Sequence, residues 1–328
     1  MTHSLPSFPE PDSGPAAGPG EGQSEQPLRI LVGPTASGKT ALALELAEAS
    51  GAEIVSLDSM LVYRGMDIGT AKPTAAEQAR VPHHMIDVVG PEVRYDVQAF
   101  LRRAEEALEG IRRRGRPAIF VGGTGFYLAA LLRGLFEGPP VDAELRASIE
   151  RRADEIGPEA LHAELAAVDP ASAARLHPAD LRRVVRGLEV WQQTGRPLSD
   201  WQTEWKGAPR PRLESARLVG LHLETPELDR RIRRRTEVML DAGWDKEALK
   251  IREHPGFGPS AIQALGYSTV LEWADGERGR EESAELIALR TRQFARRQRT
   301  WYRKFEIEWL PADQPSMGQA ARILGLEL

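Results

Sequence analysis

The sequence contains no cysteine, and this absence is the first constraint on what the protein can do. Without thiols there are no disulfides, no zinc sites built on thiolates and no cysteine nucleophile. The seven histidines are scattered and form no cluster with the spacing of metal ligands. A chain without cysteine fits a reducing compartment, so we expect a cytoplasmic protein.

Long hydrophobic runs and an excess of basic residues are also absent. No stretch approaches the roughly 20 apolar residues of a membrane span, and the N-terminus lacks the charged-then-apolar order of a signal peptide. We therefore expect no membrane partner. The formal net charge is -5, which does not favour nucleic acid by itself, so any RNA site must be a local basic patch.

Five short aliphatic and β-branched runs predict buried parallel strands, because nearly continuous apolar runs need cover on both faces of a sheet. These runs are 28–32, 53–57, 85–89, 118–121 and 218–223. Helical patterns lie between several of them, with Gly51 as a C-terminal cap and Asp96 as an N-cap. This alternation predicts an α/β fold in which helices flank a parallel sheet.

Changes in composition divide the chain into four segments. Residues 1–26 are dominated by Pro, Gly, Ser and Glu and predict a disordered tail. Residues 27–141 and 212–328 carry the strand signals and predict the two parts of one core. Residues 142–211 show only amphipathic helical patterns, so we expect an all-helical insertion domain there.

A phosphate-binding motif follows the first predicted strand and opens the first predicted helix. It matches the pattern G-x-x-x-x-G-K-S/T and consists of Gly33, Pro34, Thr35, Ala36, Ser37, Gly38, Lys39 and Thr40. Backbone amides of such a loop surround a diphosphate, Lys39 adds a cation, and the Thr40 hydroxyl should bind Mg²⁺. The motif predicts a P-loop NTPase-like core. It leaves open ATP hydrolysis, phosphoryl transfer and displacement of diphosphate from carbon.

Two other predicted strands end in polar or glycine-rich residues. Asp58 and Ser59 follow the run 53–57, and the segment 122–125, which includes Thr124, follows the run 118–121. Open α/β sheets bind ligands at the carboxyl ends of their strands. Three roles are open to Asp58, namely helix cap, Mg²⁺ ligand and general base, and its position alone favours the first two. A plain loop would explain the glycines about as often as a binding site would.

Arginines cluster on three predicted helices. The first cluster lies on one face of the last long helix and consists of Arg292, Arg296, Arg299 and Arg303. The second consists of Arg182, Arg183 and Arg186, and the third contains the five arginines of 230–235. Such rows suit an RNA backbone, although a solvated charged face is about equally common.

Taken together, these segments resemble the bacterial tRNA dimethylallyltransferases. The match rests on 33–40, 58–59, 63–73 and 122–127, and it continues at 182–189, 265–267 and 292–301. The resemblance implies transfer of a dimethylallyl group from dimethylallyl diphosphate to the N6 amine of the adenosine at tRNA position 37, with Mg²⁺ as the cofactor. It further implies that Asp58 is the general base, that Thr124 contacts the diphosphate or the adenosine, and that 33–40 holds the donor.

The resemblance also implies that the anticodon stem-loop of tRNA is the macromolecular partner of a monomeric enzyme. The residues expected to bind tRNA are Asp58, Ser59, Met60, Leu61, Thr124, Arg146, Arg182, Arg183, Arg186, Arg292, Arg296 and Arg297. Gln263 stands where some members carry an arginine, so a different arginine is expected to meet the diphosphate.

Three other functions share parts of this pattern. An adenylate isopentenyltransferase or an ATP-dependent small-molecule kinase would use the same phosphate loop, but neither has much need for a helical insertion and three basic helices. A noncatalytic P-loop RNA-binding protein would need the phosphate loop but not Asp58.

Overall fold

One parallel sheet organises the protein, whose computed structural model describes residues 27–135, 138–207 and 211–328, without the side chains of 204–207 and 211. The predicted disordered tail, 1–26, lies outside the described residues. The strands are β1 (Arg29–Val32), β2 (Glu53–Leu57), β3 (His83–His84), β4 (Ala118–Gly122), β5 (Arg217–His222) and β6 (Glu308–Pro311). Their order in the sheet is β3-β2-β4-β1-β5-β6, and every pairing is parallel. The predicted α/β fold is confirmed.

Helices fill the connections between these strands. They are α1 (Lys39–Ser50), α2 (Ala75–Arg80), α3 (Val97–Arg113), α4 (Gly125–Arg133), α5 (Ala143–Ile156), α6 (Pro158–Val168), α7 (Pro170–Ala173), α8 (Leu181–Thr194), α9 (Leu198–Gly207), α10 (Pro211–Ser215), α11 (Thr225–Asp241), α12 (Trp244–Glu253), α13 (Tyr267–Ala274), α14 (Arg280–Tyr302) and α15 (Met317–Leu324). Both predicted caps are confirmed. Gly51 follows α1 in the left-handed region, and the Asp96 carboxylate accepts the amides of Gln98 and Ala99. In the described parts of the chain, no helix is long and apolar enough to span a bilayer.

The four inner strands, β1, β2, β4 and β5, are buried at nearly every position because both faces of the sheet are covered. Side chains of a strand alternate between faces, and in β1 Ile30 and Val32 join one hydrophobic cluster while Leu31 joins another. Helices α3 and α4 contribute to the first cluster, and α1, α11 and α15 to the second. The sheet is therefore a buried central layer, and ligands can reach it only at the strand ends.

The helices between β4 and β5 have a hydrophobic cluster of their own. Its buried members are Ile149, Ala153, Leu161, Leu165, Ala173, Val184, Val185 and Leu188. They come from α5 to α8, as their amphipathic patterns predict. The predicted boundaries of the insertion domain, 142 and 211, stay a prediction.

Two predictions for strands were wrong. Residues 85–89 do not form a strand, because Met85 and Asp87 have φ of 64° and 54° and break the extended backbone. After this break, the amide of Val88 donates to the Val62 carbonyl at 2.7 Å, so the segment pairs with a loop. At the other edge of the sheet, β6 has no counterpart among the five predicted strands.

Candidate active site

The phosphate-binding motif forms a loop between β1 and α1. Ala36 has φ of 64° and Gly38 has φ of 89°. These positive-φ residues turn the chain sharply into the helix, whose first N–H groups have no partner within the helix and suit an anion. Since α1 begins at Lys39, the positive end of its dipole adds to the site. The local geometry therefore suits a diphosphate.

Cationic side chains surround a cavity of about 380 Å³ beside this loop, the phosphate cavity. Lys39, Arg231 and Arg235 line it together with Thr35 and Thr40. Burial lowers the pKa of Lys39 to about 8; the charge of Asp58 opposes this shift and that of Arg235 adds to it. Burial also lowers the pKa of Arg235, again against the charge of Asp58. Two positive charges close together in a poorly solvated site favour a polyanionic ligand.

Asp58 and Thr124 lie side by side because β2 and β4 are neighbours, with Leu57 opposite Gly122 in the register. Asp58 Oδ1 accepts the Met60 amide at 2.8 Å, which leaves Oδ2 for another partner. Thr124 Oγ1 accepts the Ser59 amide at 3.2 Å. Its own O–H proton therefore stays available to a ligand. The pair offers one carboxylate oxygen and one hydroxyl donor at the same edge of the sheet.

A second, larger cavity of about 750 Å³ adjoins the first, and we call it the acceptor cavity. Ser59, Met60, Thr124, Arg182, Arg290 and Arg297 are part of its lining. Thr35, Asp58, Thr70, Arg235 and Phe294 line both cavities. Asp58 thus stands at the junction between a phosphate site and a larger space that basic residues border.

Helix α14 ties the phosphate loop to the turn after β4 through Gln298, which sequence reasoning missed. The Thr35 amide donates to Gln298 Oε1 at 2.8 Å, and Gln298 Nε2 donates to the Gly123 carbonyl at 2.8 Å. Gln298 is 4% exposed. A Cβ at residue 123 would lie 2.1 Å from Nε2, so a larger residue there would displace the Gln298 amide. The sequence did carry a signal for Gln298. It is a polar residue at helical spacing from residues 291, 295 and 302, and all four are buried.

Tyr302 lies one turn further along the same stripe and holds the other end of the loop. Its hydroxyl donates to the Gly33 carbonyl at 2.9 Å. Burial raises the pKa of Tyr302, so the hydroxyl keeps its proton and stays a donor. Gln298 and Tyr302 together fix the phosphate loop relative to Thr124.

Replacing Gln298 with methionine, which has a similar volume, should reduce both stability and catalysis. The Thr35 N–H and Gly123 C=O would lose their partners, and each unpaired buried group costs about 1–3 kcal/mol of unfolding free energy. A shift of the loop by a fraction of an ångström should reduce kcat/KM for the donor by roughly 10- to 100-fold. Urea unfolding and initial rates measure the two effects. Gln319→Met, at an exposed position on α15, is the control. Unchanged kcat/KM with reduced stability would show that Gln298 has only a structural role.

Arg292, Arg296, Arg299 and Arg303 share one face of α14 as predicted, but this face points away from both cavities. Arg290, Gln293, Phe294 and Arg297 line the acceptor cavity. At 100° per residue, Arg292 and Arg296 fall on the roughly opposite side of the helix. Arg299, of the same row, donates to the Leu223 carbonyl and to Thr225 Oγ1 and so anchors the helix. Of the three α14 arginines expected to bind tRNA, Arg297 is the one at the site.

The arginines of the insertion are also divided between roles. Arg146 and Arg186 form ion pairs with the buried Glu189 carboxylate, at 2.5 and 3.0 Å. Arg183 pairs with Asp180 at 3.2 Å. Arg182 is exposed and lines the acceptor cavity. All four were expected to bind tRNA, whereas Arg146 and Arg186 neutralise a carboxylate inside the insertion.

The third basic cluster, on α11, is split in the same way. Arg230 and Arg231 pair with Glu227, and Arg233 pairs with Glu285. Arg235 points inward and donates to Thr35 Oγ1 in the phosphate loop. The position of Arg235 at the phosphate loop is consistent with the expectation that an arginine outside the segment of Gln263 binds the diphosphate.

The loop that runs from Met66 to Pro73 is held by Glu247 of α12. Its carboxylate accepts the amides of Asp67, Ile68 and Gly69 at 2.7 to 3.1 Å and the Tyr267 hydroxyl at 2.7 Å. Thr70, in the same loop, lines both cavities. Glu247 therefore keeps the backbone of this loop in place beside the site.

The oxygens near Thr40 suit a Mg²⁺ ion that also binds the substrate. Thr40, Ser56 and Asp58 line the phosphate cavity, and Ser56 Oγ is buried with no hydrogen-bond partner in the described part of the chain. No group of three or more His, Cys, Asp or Glu residues among those described could cage a metal. Mg²⁺ usually binds one or two protein oxygens together with substrate phosphates and water. The oxygens of Thr40, Ser56 and Asp58 suit this mode of Mg²⁺ binding.

Family models match nearly the whole described chain. The model for IPP transferase matches residues 61–305, and the one for isopentenyl transferase matches residues 26–87. A tRNA dimethylallyltransferase of Sorangium cellulosum is 46% identical over 92% of this chain and 96% of its own. One of Geobacter sulfurreducens is 44% identical over 91% of this chain and 96% of its own.

Solved structures with the same fold are available for comparison. A tRNA isopentenylpyrophosphate transferase from Bacillus halodurans superimposes with a TM-score of 0.66 at 35% identity, covering 92% of this chain and 95% of its own. A eukaryotic dimethylallyltransferase acting on tRNA gives a TM-score of 0.75 at 28% identity, covering 90% and 78%.

Proposed function

The chain belongs to the IPP transferase family, and we propose that it transfers a dimethylallyl group from dimethylallyl diphosphate to the N6 amine of adenosine 37 of tRNA. It is a tRNA prenyltransferase that modifies adenosine. The observation that carries the finer proposal is the position of Asp58, where the phosphate cavity meets the acceptor cavity. Donor and acceptor can approach this carboxylate from opposite sides.

The phosphate cavity has the properties that the donor requires. Lys39, Arg235 and the amino end of α1 supply positive charge for the diphosphate. Ile54, Val121 and Phe294 line the same cavity and provide apolar surface for the hydrocarbon group. When bound at Thr40, Mg²⁺ would neutralise part of the charge of the diphosphate. The leaving group is therefore stabilised where it forms.

The reaction needs a base because an exocyclic adenine amine is a poor nucleophile. Its lone pair is delocalised into the ring, so loss of the N–H proton as the bond forms assists attack. The N6 nitrogen bonds to the allylic carbon, the bond between that carbon and the diphosphate oxygen breaks, and Asp58 Oδ2 accepts the proton. Thr124, through its free O–H, orients either the amine or the diphosphate.

The acceptor cavity fits a base that has left its stack. Its volume of about 750 Å³ lies in the range of small-molecule pockets, so it accommodates a nucleoside. Arg182, Arg290 and Arg297 border it and can contact the flanking phosphates. The adenine must flip out of the anticodon loop to reach Asp58.

Transfer of label from donor to RNA tests this function. The protein is incubated with Mg²⁺, labelled dimethylallyl diphosphate and an anticodon stem-loop that carries adenosine 37, and we expect label on that nucleotide alone. A stem-loop with guanosine at this position is the control. Parallel reactions contain AMP as the acceptor, or ATP with candidate phosphate acceptors. Label on AMP but not on RNA would indicate an adenylate isopentenyltransferase, and phosphoryl transfer from ATP would indicate a kinase.

A further inference from the structure

An exposed aromatic side chain lies at the start of α4, directly after the site. Phe126 is 48% exposed, and its ring centroid lies 6.3 Å from that of Trp301 on α14. Lys304 Nζ lies 3.8 Å from the centroid of the Trp301 ring and covers one of its faces. We call Phe126, Trp301 and Lys304 the aromatic shelf. The exposed face of this shelf is the ring of Phe126.

Packing does not explain the exposure of Phe126. The next two residues of α4, Tyr127 and Leu128, are 6% and 1% exposed and join the core of the sheet. Phe126 projects instead toward solvent, so α4 does not depend on it for burial. An exposed phenylalanine beside a substrate cavity is more informative than one elsewhere on a surface.

The shelf is continuous with the acceptor cavity. Phe126 is two residues after Thr124, which lines that cavity. Trp301 lies one turn after Arg297, another lining residue, on the same side of α14. A Cβ at residue 125 would lie 2.5 Å from Trp301, so the turn that carries Thr124 is packed directly on the shelf. A ligand that fills the cavity and extends outward therefore meets Phe126.

Charge and ring chemistry together favour RNA as the occupant. Arg297 and Lys304 are exposed on either side of Trp301 along the chain and provide contacts for phosphates. An aromatic ring face beside basic groups is the usual arrangement for stacking an unpaired base. When the target adenine flips, each neighbouring base loses a stacking partner, and a protein ring can replace it.

We propose that Phe126 stacks on a nucleotide base adjacent to the target adenosine, with Trp301 supporting its edge and Lys304 and Arg297 near the backbone. The proposal rests on the proposed function, because it places the target adenosine in the acceptor cavity. It adds a base-binding subsite outside that cavity. Phe126 belongs to substrate binding and takes no part in the chemistry.

Substitution of Phe126 separates this role from a structural one. Phe126→Ala should raise the KM for the anticodon stem-loop by about 5- to 150-fold, because a base stacked on an aromatic ring contributes about 1–3 kcal/mol. The kcat at saturating RNA, the KM for dimethylallyl diphosphate and the thermal midpoint should stay unchanged. Phe126→Tyr keeps the ring face and should behave like the wild type. Val93→Ala, at another exposed apolar position (40%), is the surface control.

RNAs with an abasic site identify the stacked base. An abasic nucleotide on one side of the target adenosine should raise the wild-type KM, and on this RNA Phe126→Ala should have no further effect. The proposal is overturned if the RNA KM of Phe126→Ala is unchanged, or if the effect of the substitution persists on both abasic RNAs. If the proposal for the aromatic shelf is wrong, the wild type still transfers the prenyl group to RNA. If the wild type transfers no prenyl group, the proposed function and this subsite are both overturned.

Discussion

Asp58→Ala should reduce the rate of prenyl transfer by about 10²- to 10⁴-fold, the usual contribution of a positioned general base. Affinity for the anticodon stem-loop should stay within severalfold, because the proposed RNA contacts are spread over several other groups of the acceptor cavity. Single-turnover measurements with enzyme in excess isolate the chemical step from product release. Retained turnover in that assay would exclude Asp58 as the base.

Asp58→Asn distinguishes the base from the other two roles that the sequence leaves open. An asparagine side-chain oxygen can still accept the Met60 amide, which Asp58 Oδ1 accepts at 2.8 Å, so the turn should persist. The amide cannot take a proton from the adenine amine, so the rate should fall as far as in Asp58→Ala. If the main role were to bind Mg²⁺, raising the Mg²⁺ concentration would restore activity. A rate that stays low at high Mg²⁺ supports the base.

Local features of this fold were predictable because adjacent residues determine them. The phosphate motif, the cap at Gly51 and the cap at Asp96 each depend on a few consecutive residues. Asp58 and Thr124 were both expected at strand ends for the same reason. Their contact was not predictable from the pattern alone, since it depends on β2 pairing with β4 instead of with β1. Strand order is set by long-range packing that no short pattern encodes.

The orientation of the basic helices was the least predictable feature. Helical periodicity shows which residues share a face, but it does not show which face meets the site. The row of Arg292, Arg296, Arg299 and Arg303 was therefore predictable as one face, but it was not predictable that the face with Arg297 lines the acceptor cavity. Arg235 belonged to a run of five arginines, and its burial at the phosphate loop depends on how α11 packs. The long-range ion pair of Arg146 with Glu189 was hidden for the same reason.

Lys39→Met should reduce kcat/KM for dimethylallyl diphosphate by about 10²- to 10³-fold, comparable to the loss of one preorganised group that stabilises developing charge. Lys39 reaches the phosphate cavity from the first residue of α1. Methionine has a similar length and no charge, so the loop should keep its shape. Steady-state rates at varied donor concentration measure the effect, with the KM for RNA as the internal control.

The pH dependence of kcat/KM for dimethylallyl diphosphate tests the role of Lys39 more directly. Its pKa in the free protein is about 8, so the side chain is charged below pH 8 and loses its proton as the pH rises. Since kcat/KM reports the free enzyme, its value for the donor should fall above about pH 8, by up to tenfold per unit. Bound diphosphate favours the charged amine, so kcat should fall only at higher pH. In Lys39→Arg, whose guanidinium does not titrate in this range, the fall near pH 8 should vanish, and its persistence would assign it to another group.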